Sequence, residues 1–189
     1  MNDSLDLGLK EKVAIVAGAG AKGDGIGNGR AAAILLAEAG AKVVVADKDQ
    51  ELAEKTVEMI NDRKGVAKSI GADLTNPSDC KRVVDFAMSQ FGRLDILDNN
   101  IGIASSLSVV EETEEYWDRV MEVNLKPMFL MSKYAIPAMI SSGDGGSIVN
   151  ISSISATRPK GLTVYSTSKG AVPVSYTHLR AHETREERG

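Results

Sequence analysis

Residues 13–30 read VAIVAGAGAKGDGIGNGR, and this stretch decides the fold. It opens with the apolar run 13–17, which is typical of a buried strand, and leads into the Ala- and Leu-rich run 30–39, which predicts a helix. The turn between them is crowded with glycines: Gly18, Gly20, Gly23, Gly25, Gly27 and Gly29. Glycine permits positive φ and close approach of a ligand to the main chain, and the amino terminus of a helix attracts anions. This order therefore predicts a dinucleotide phosphate-binding turn rather than a flexible surface loop.

Apolar strand patterns and helical periodicity continue to alternate after this stretch. The predicted strands are 42–46, 66–70, 94–97 and 147–151, and the predicted helices are 50–62, 77–91, 113–123, 126–140 and one that starts near Tyr165. Alternation of this kind predicts the α/β class, with a doubly wound parallel sheet between two layers of helices. We expect a Rossmann-like three-layer α/β/α domain with strand order 3-2-1-4-5, and 189 residues fit one domain.

The composition excludes several classes of function. A net charge of −4 gives no basic surface for nucleic acid or an anionic membrane. No apolar run has the length of a spanning helix or the pattern of a signal peptide, so we expect a cytoplasmic protein. Both histidines, His178 and His182, lie near the carboxyl terminus, which excludes Ser-His-Asp catalysis, Cys-His catalysis and a His-ligated metal in the main body. The lone Cys80 excludes an intrachain disulfide.

Asp47 closes the strand predicted over 42–46. A carboxylate at this position can accept hydrogen bonds from the adenosine ribose hydroxyls, and it repels a 2′-phosphate. NAD is therefore favoured over NADP, although the neighbouring Lys48 could soften that preference. The alternative interpretation of Asp47 is an ordinary solvated acid at a strand end.

Residues 10–172 resemble the short-chain dehydrogenase/reductase family, because several of its motifs occur in order. The matching residues are Ala17-Gly18 and the later glycines, Asp73-Leu74, Asn99-Asn100-Ile101-Gly102, Asn124 in VNLKP, Ser152-Ser153, and the Y-x-x-x-K pair Tyr165 and Lys169. The resemblance implies an oxidoreductase that transfers a hydride between NAD(H) and a secondary alcohol or ketone without a metal. It also implies binding of the cofactor by Gly18, Gly25, Ile26, Gly27, Gly29, Asp47, Asp73, Leu74, Asn100, Gly102, Tyr165 and Lys169.

The same resemblance implies four catalytic roles. Tyr165 acts as general base in oxidation and general acid in reduction. Lys169, four residues later and therefore on the same helix face, favours the phenolate and binds the nicotinamide ribose. Ser153 orients the substrate oxygen, and Asn124 holds a water that relays the proton outward.

Two registers stay open. An insertion separates the glycines, so that counting back from Gly40 favours residues 27–29 as the end of the loop, whereas 25–27 copies the letters of the family motif. For the serine, the end of the strand points to Ser153, which we prefer, and counting thirteen residues back from Tyr165 points to Ser152.

Two residues depart from the family pattern. Ile101 replaces the usual alanine and should crowd the backbone near the nicotinamide. Asp98 occupies a strand position that is usually apolar, and the sequence offers no reason for it beyond shielding at the strand end or a sequence error.

The last segment, PVSYTHLRAHETREERG at 173–189, changes in character and resembles translated sequencing-adaptor read-through. Pro173 lacks the amide that would bond the Lys169 carbonyl, at a cost of roughly 3 kcal/mol, so we expect the catalytic helix to bend or stop there. We therefore expect a truncated NAD-binding domain at 1–172 and a non-native or disordered tail at 173–189. The sheet should be incomplete at its carboxyl-terminal end, with an uncovered fifth strand and an aggregation risk.

Two other functions fit the same pattern. One is a non-catalytic dinucleotide-binding protein, which would have no use for Ser153, Tyr165 and Lys169. The other is an NADPH-dependent ketoreductase, which conflicts with Asp47. The expected partner is a small-molecule alcohol or ketone, and Arg158 and Lys160 favour a polar substrate as much as they favour a solvated loop. Relatives often form tetramers, so the parent protein is expected to be a homo-oligomer.

Overall fold

The structure is a computed structural model that describes residues 7–21, 25–143, 145–158 and 161–183. Its elements follow in the order β1 (Val13–Ala17), α1 (Asn28–Glu38), β2 (Lys42–Asp47), α2 (Gln50–Asp62), β3 (Val66–Gly71), α3 (Pro77–Phe91), β4 (Ile96–Asn99), α4 (Glu114–Ser141), β5 (Ser147–Asn150), a 3₁₀ turn (Ile154–Ala156) and α5 (Thr163–Glu183). No helix in the described ranges is long and apolar enough to cross a membrane.

The five strands form one parallel sheet in the order β3-β2-β1-β4-β5. Apolar clusters cover both of its faces, one built mainly with α1 and α2 and the other mainly with α3 and α4. All five residues of β1 are buried because this strand is the centre of the sheet. The predicted α/β class, the three layers and the strand order are confirmed.

Local capping residues fix the early helices where the sequence predicted them. The Asp49 side chain accepts hydrogen bonds from the Glu51 and Leu52 amides and so caps α2. Helix α3 is capped by Asn76 and ends at Gly92, whose φ of 77° is the left-handed conformation that glycine tolerates. Strand β4 starts two residues later than the predicted 94–97.

Helix α4 is one helix of 28 residues, so the predicted division into 113–123 and 126–140 is wrong. It passes through Pro127 and Pro137. Each proline removes one backbone hydrogen bond, but the burial of ten α4 side chains, among them Met131 and Ala135, offsets that loss. The helix therefore continues through Pro127, although proline locally favours a helix end, because its packing against the rest of the fold is more favourable.

Helix α5 runs from Thr163 through Pro173 to Glu183. Of the two expected outcomes at Pro173, a bend or a stop, the stop is wrong, and the bend stays a prediction. The Lys169 carbonyl, which would otherwise accept from a residue-173 amide, accepts a hydrogen bond of 2.7 Å from the Ser152 hydroxyl. This replacement donor satisfies the carbonyl and ties the end of β5 to α5. The division of the chain at residue 172 stays a prediction, and residues 184–189 of the expected tail lie outside the described part.

Candidate active site

The glycine loop ends where α1 begins, with Gly27 as the residue before the helix and Gly29 inside its first turn. A β-carbon on Gly29 would lie 2.2 Å from the Gly18 carbonyl oxygen, so only glycine allows α1 to approach β1 this closely. Gly25 and Ile26 precede the helix and are exposed. This geometry favours the register that ends at 27–29 over the one that ends at 25–27.

Gly18 turns the chain away from the end of β1, with a φ of +81°. Its α-carbon faces Ile101, because a β-carbon on Gly18 would lie 3.1 Å from both backbone and side-chain atoms of that residue. The isoleucine that replaces the usual alanine therefore packs directly against the start of the glycine loop.

Asp47 binds the glycine loop through its carboxylate. The Gly20 amide donates to Oδ2 over 2.8 Å, and the Asp49 amide donates to Oδ1 over 3.1 Å. A β-carbon on Gly20 would lie 2.7 Å from this carboxylate, so the loop needs glycine there as well. Asp47 is thus a structural partner of the loop and not simply a solvated acid.

A cleft of about 320 Å³ lies at the carboxyl ends of the strands. It is lined by Gly18, Gly20, Asp47, Lys48, Ala72, Asp73, Leu74, Thr75, Asn100, Ile101, Gly102, Ile103, Arg119, Val123 and Pro127. Six of the expected cofactor residues are among them, which places the glycine loop, the acid after β2 and the turns after β3 and β4 around one space. Ligands of doubly wound sheets bind at this edge.

Asp73 forms one rim of the cleft. Hydrogen bonds from the Thr75 hydroxyl (2.7 Å) and the Lys48 ammonium (2.9 Å) lower the pKa of Asp73 to about 2. The Lys48 ammonium is therefore paired with Asp73 in the structure.

Asn124, buried in α4, holds the chain segment that follows β4. Its Oδ1 accepts from the Ile103 amide (2.8 Å), and its Nδ2 donates to the Ile103 carbonyl (3.0 Å) and the Ser168 hydroxyl (2.8 Å). Both amide hydrogens are thereby used. The side chain therefore connects Ile103, which lines the cleft, to α4 and α5. Of its polar atoms, only Oδ1 can accept a further hydrogen bond.

Lys169 is buried in α5, with 4% of its surface exposed. Its ammonium donates to the Ile151 carbonyl at 2.8 Å and to the Ile101 carbonyl at 3.5 Å. Burial lowers the pKa of Lys169 from its ordinary value. A β-carbon on Gly102 would lie 3.2 Å from Nζ and 3.5 Å from the Asn124 Oδ1, so Gly102 brings these two side chains next to the cleft.

The two candidate serines have different partners. The Ser152 hydroxyl donates to the Lys169 carbonyl, whereas Ser153 Oγ accepts from the Ser155 amide over 3.2 Å and retains its own hydrogen for donation. This difference favours Ser153 as the residue able to orient a substrate. In the described part of the chain, the half-buried Tyr165 has no hydrogen bond from its hydroxyl and none to Ser153.

Sequence reasoning missed two arginines. Arg30, directly after the last glycine, is completely buried against the glycine loop, and Arg119 lines the cleft from α4. An arginine at the start of an otherwise apolar helix was a signal for the first. No pattern pointed to the second, because it depends on how α4 crosses the sheet.

Comparisons with known proteins agree with this geometry. Residues 12–188 match the family model described as short chain dehydrogenase. An oxidoreductase of Thermotoga maritima is 40% identical over 147 residues, which cover 78% of this chain and 55% of the relative. The cyclohexanol dehydrogenase of Acinetobacter sp. (strain SE19) is 41% identical over 144 residues, which cover 76% and 55%.

Two solved structures share the fold over most of this chain. A short-chain type dehydrogenase/reductase from Mycobacterium marinum has a TM-score of 0.84 at 30% identity, over 94% of this chain and 71% of its own. A 7α-hydroxysteroid dehydrogenase, complexed with NADH and 7-oxo glycochenodeoxycholic acid, has a TM-score of 0.79 at 34% identity, over 87% and 62%. The chain spans about 55% of the length of the curated relatives described above. It belongs to the short-chain dehydrogenase family.

Proposed function

We propose that the whole protein is an NAD-dependent dehydrogenase that transfers a hydride between NAD(H) and a secondary alcohol or ketone. The observation that carries this proposal is the Asp47 carboxylate, fixed by the Gly20 amide at the edge of the cleft. NAD⁺, when bound, would supply the hydride acceptor.

The charges around the cleft support NAD over NADP. A 2′-phosphate beside Asp47 would meet a carboxylate, while the adjacent residue Lys48 is bonded to Asp73. The relative with 7α-hydroxysteroid dehydrogenase activity is complexed with NADH, which agrees with this preference.

The residues of α5 supply the proton chemistry in this proposal. Tyr165 accepts the proton of the alcohol in oxidation and returns it in reduction. Lys169, when charged, favours the phenolate form of Tyr165, and Ser153 donates its free hydrogen to the substrate oxygen. Asn124 supports this arrangement by holding Ile103 and Ser168 together.

The names of two relatives suggest the first substrates to test. Cyclohexanol dehydrogenase and 7α-hydroxysteroid dehydrogenase are both named for ring alcohols, so cyclic secondary alcohols lead the panel, followed by sugars and hydroxy acids because of the exposed Arg158. We further propose a cytoplasmic homo-oligomer, in keeping with the tetramers that the family often forms.

The test measures NAD⁺ reduction by the whole protein on this panel, with NADP⁺ in parallel. Tyr165→Phe should lower kcat about 10²- to 10⁴-fold because the acid–base group is lost, with a much smaller effect on the dissociation constant for NAD⁺. Tyr134→Phe, a half-buried tyrosine of α4 outside the cleft, is the matched control. NAD binding without turnover would favour the non-catalytic alternative, and a preference for NADPH would favour the ketoreductase.

A further inference from the structure

Arg30 is the largest fully buried side chain in the described part of the protein, with 0% of its surface exposed. It follows the last glycine of the loop and lies in the first turn of α1. Burial of a guanidinium costs several kcal/mol unless its N–H groups find acceptors. The hydrogen-bond acceptors of the guanidinium therefore indicate the role of Arg30.

The guanidinium donates to two backbone carbonyls of the glycine loop. Nη1 donates to Gly25 O over 2.6 Å, and Nη2 donates to Ala21 O over 3.0 Å. Ala21 and Gly25 flank residues 22–24, which lie outside the described part of the chain. Arg30 thus bonds to the glycine loop on both sides of these residues.

Helix α2 completes the arrangement. Arg30 Nε donates to the Thr56 hydroxyl over 2.9 Å, and that hydroxyl donates onward to Ala19 O over 2.8 Å. A weaker contact of 3.4 Å joins Nη2 to Leu52 O. Thr56 is itself fully buried, so Arg30 and Thr56 together hold loop carbonyls at three points, on Ala19, Ala21 and Gly25.

The direction of these carbonyls matters for an anion. A carbonyl and the following amide point in opposite directions across a trans peptide, so the Gly25 carbonyl that faces Arg30 turns the Ile26 N–H to the other side of the loop. Carbonyl oxygens turned into the cleft would repel a diphosphate, whereas amide hydrogens attract it.

We infer that Arg30 is a positioning residue for diphosphate binding, which sets the loop for the cofactor's pyrophosphate without touching it. The inference rests on the proposed NAD function and deepens it.

The experiment compares dissociation constants of the full chain for NAD⁺, ADP and adenosine by calorimetry. Arg30→Lys keeps the charge and loses the fork of N–H groups, and it should weaken NAD⁺ and ADP about tenfold to a hundredfold. Adenosine, which has no phosphate, should change less than about twofold on the same scale. In the whole protein, KM for NAD⁺ should rise while kcat at saturating NAD⁺ stays near the parent value.

Thr56 variants keep the inference testable if Arg30→Lys does not fold. Thr56→Val removes the hydroxyl that accepts from Arg30 and should weaken ADP less than Arg30→Lys does, while Thr56→Ser retains the hydroxyl and should restore binding. Arg63→Lys, at an exposed pair with Glu38, is the matched control and should leave all three constants unchanged.

Two results would overturn the inference even if the parent chain binds NAD⁺. In the first, Arg30→Lys weakens the binding of adenosine and ADP equally, which indicates only a structural role. In the second, it weakens the binding of neither. A parent chain that binds neither NAD⁺ nor ADP would instead refute the proposed function, and the inference with it.

Discussion

Asp98 is a carboxylate inside the sheet, paired in register with Val16 and Val149, and only 6% of its surface is exposed. Asn100 donates to Oδ2 over 2.9 Å, while Oδ1 is buried without a hydrogen-bond partner in the described part of the structure. Burial raises the pKa of Asp98. The position is therefore within the strand and costs stability when it is ionised.

The sign of the pH effect follows from that raised pKa. Below the unfolded pKa of about 3.9, both states hold the proton and Asp98 costs nothing by ionisation. As pH rises toward the folded pKa, the unfolded state loses its proton first, so stability falls. Asp98→Asn should remove this decline and raise the free energy of unfolding at neutral pH by about 1–3 kcal/mol. Urea titrations of the parent chain and the variant at pH 4 and pH 7 measure the free energy of unfolding. If the variant differed from the parent by the same amount at both pH values, ionisation of Asp98 would not be the cause.

Cys80 is buried in α3, and its Sγ donates to the Leu74 carbonyl over 3.1 Å. Burial, with a smaller contribution from the Asp79 carboxylate, raises the pKa of the Cys80 thiol to about 12. Because the thiolate is the reactive form and the side chain is buried, a disulfide reagent should label the folded chain at neutral pH much more slowly than the unfolded chain. Labelling with and without concentrated guanidinium chloride measures the ratio, and comparable rates would show that Cys80 is accessible.

Helix α5 depends on the hydrogen bond that spans the gap left by Pro173. Ser152→Ala leaves the Lys169 carbonyl without this donor and should cost about 1–3 kcal/mol of unfolding free energy. Pro173→Ala restores a backbone amide and should stabilise the helix by up to about 3 kcal/mol. In the Pro173→Ala background, the Ser152→Ala penalty should shrink, because the new amide bonds the same carbonyl.

A double-mutant cycle from urea denaturation measures that coupling. The matched control is Ser155→Ala, in the 3₁₀ turn beyond β5, whose effect should be the same with proline or alanine at residue 173. Additive effects of Ser152→Ala and Pro173→Ala would mean that the two groups do not share the carbonyl.

The elements that the sequence predicted well are those with their own local signals. The bounds of α3 follow from Pro77 and Gly92 at its ends, and the buried β1 follows from an unbroken apolar run. The elements that differ, α4 and α5, contain prolines whose cost is met by contacts from elsewhere in the fold. Propensity cannot include those contacts, because they exist only once the helices pack.

The residues of the candidate site also fall into two groups, those that the sequence predicted and those that required the folded structure. Asp47 was predictable because it closes a strand whose carboxyl end lies at one edge of the sheet. Asp73 and Gly102 were predictable from the family motifs that come shortly after β3 and β4. The role of Arg30 was not, because it depends on Thr56, which is 26 residues away in the sequence and reaches the loop only through the packing of α2. The choice between Ser152 and Ser153 likewise needed the position of α5.

The sheet has two edge strands, and they differ in how they are protected. Strand β3 carries the exposed Lys68. Within the described part of the chain, β5 pairs only with β4, and it exposes 47% of Val149. Unpaired edges without charge invite association with another chain, and lysine at an edge suppresses it. The 189-residue chain should therefore associate through β5 rather than through β3.

Val149→Lys should slow this association several-fold, because it adds a charge beside the uncovered backbone of β5. Val66→Lys is the matched control on β3, with 48% of Val66 exposed, and should have a smaller effect because Lys68 already protects that edge. Light scattering and size-exclusion chromatography across a concentration series compare the three chains. A parent chain that stays monodisperse at high concentration, or equal protection by both lysines, would show that β5 is not the edge through which the chains associate.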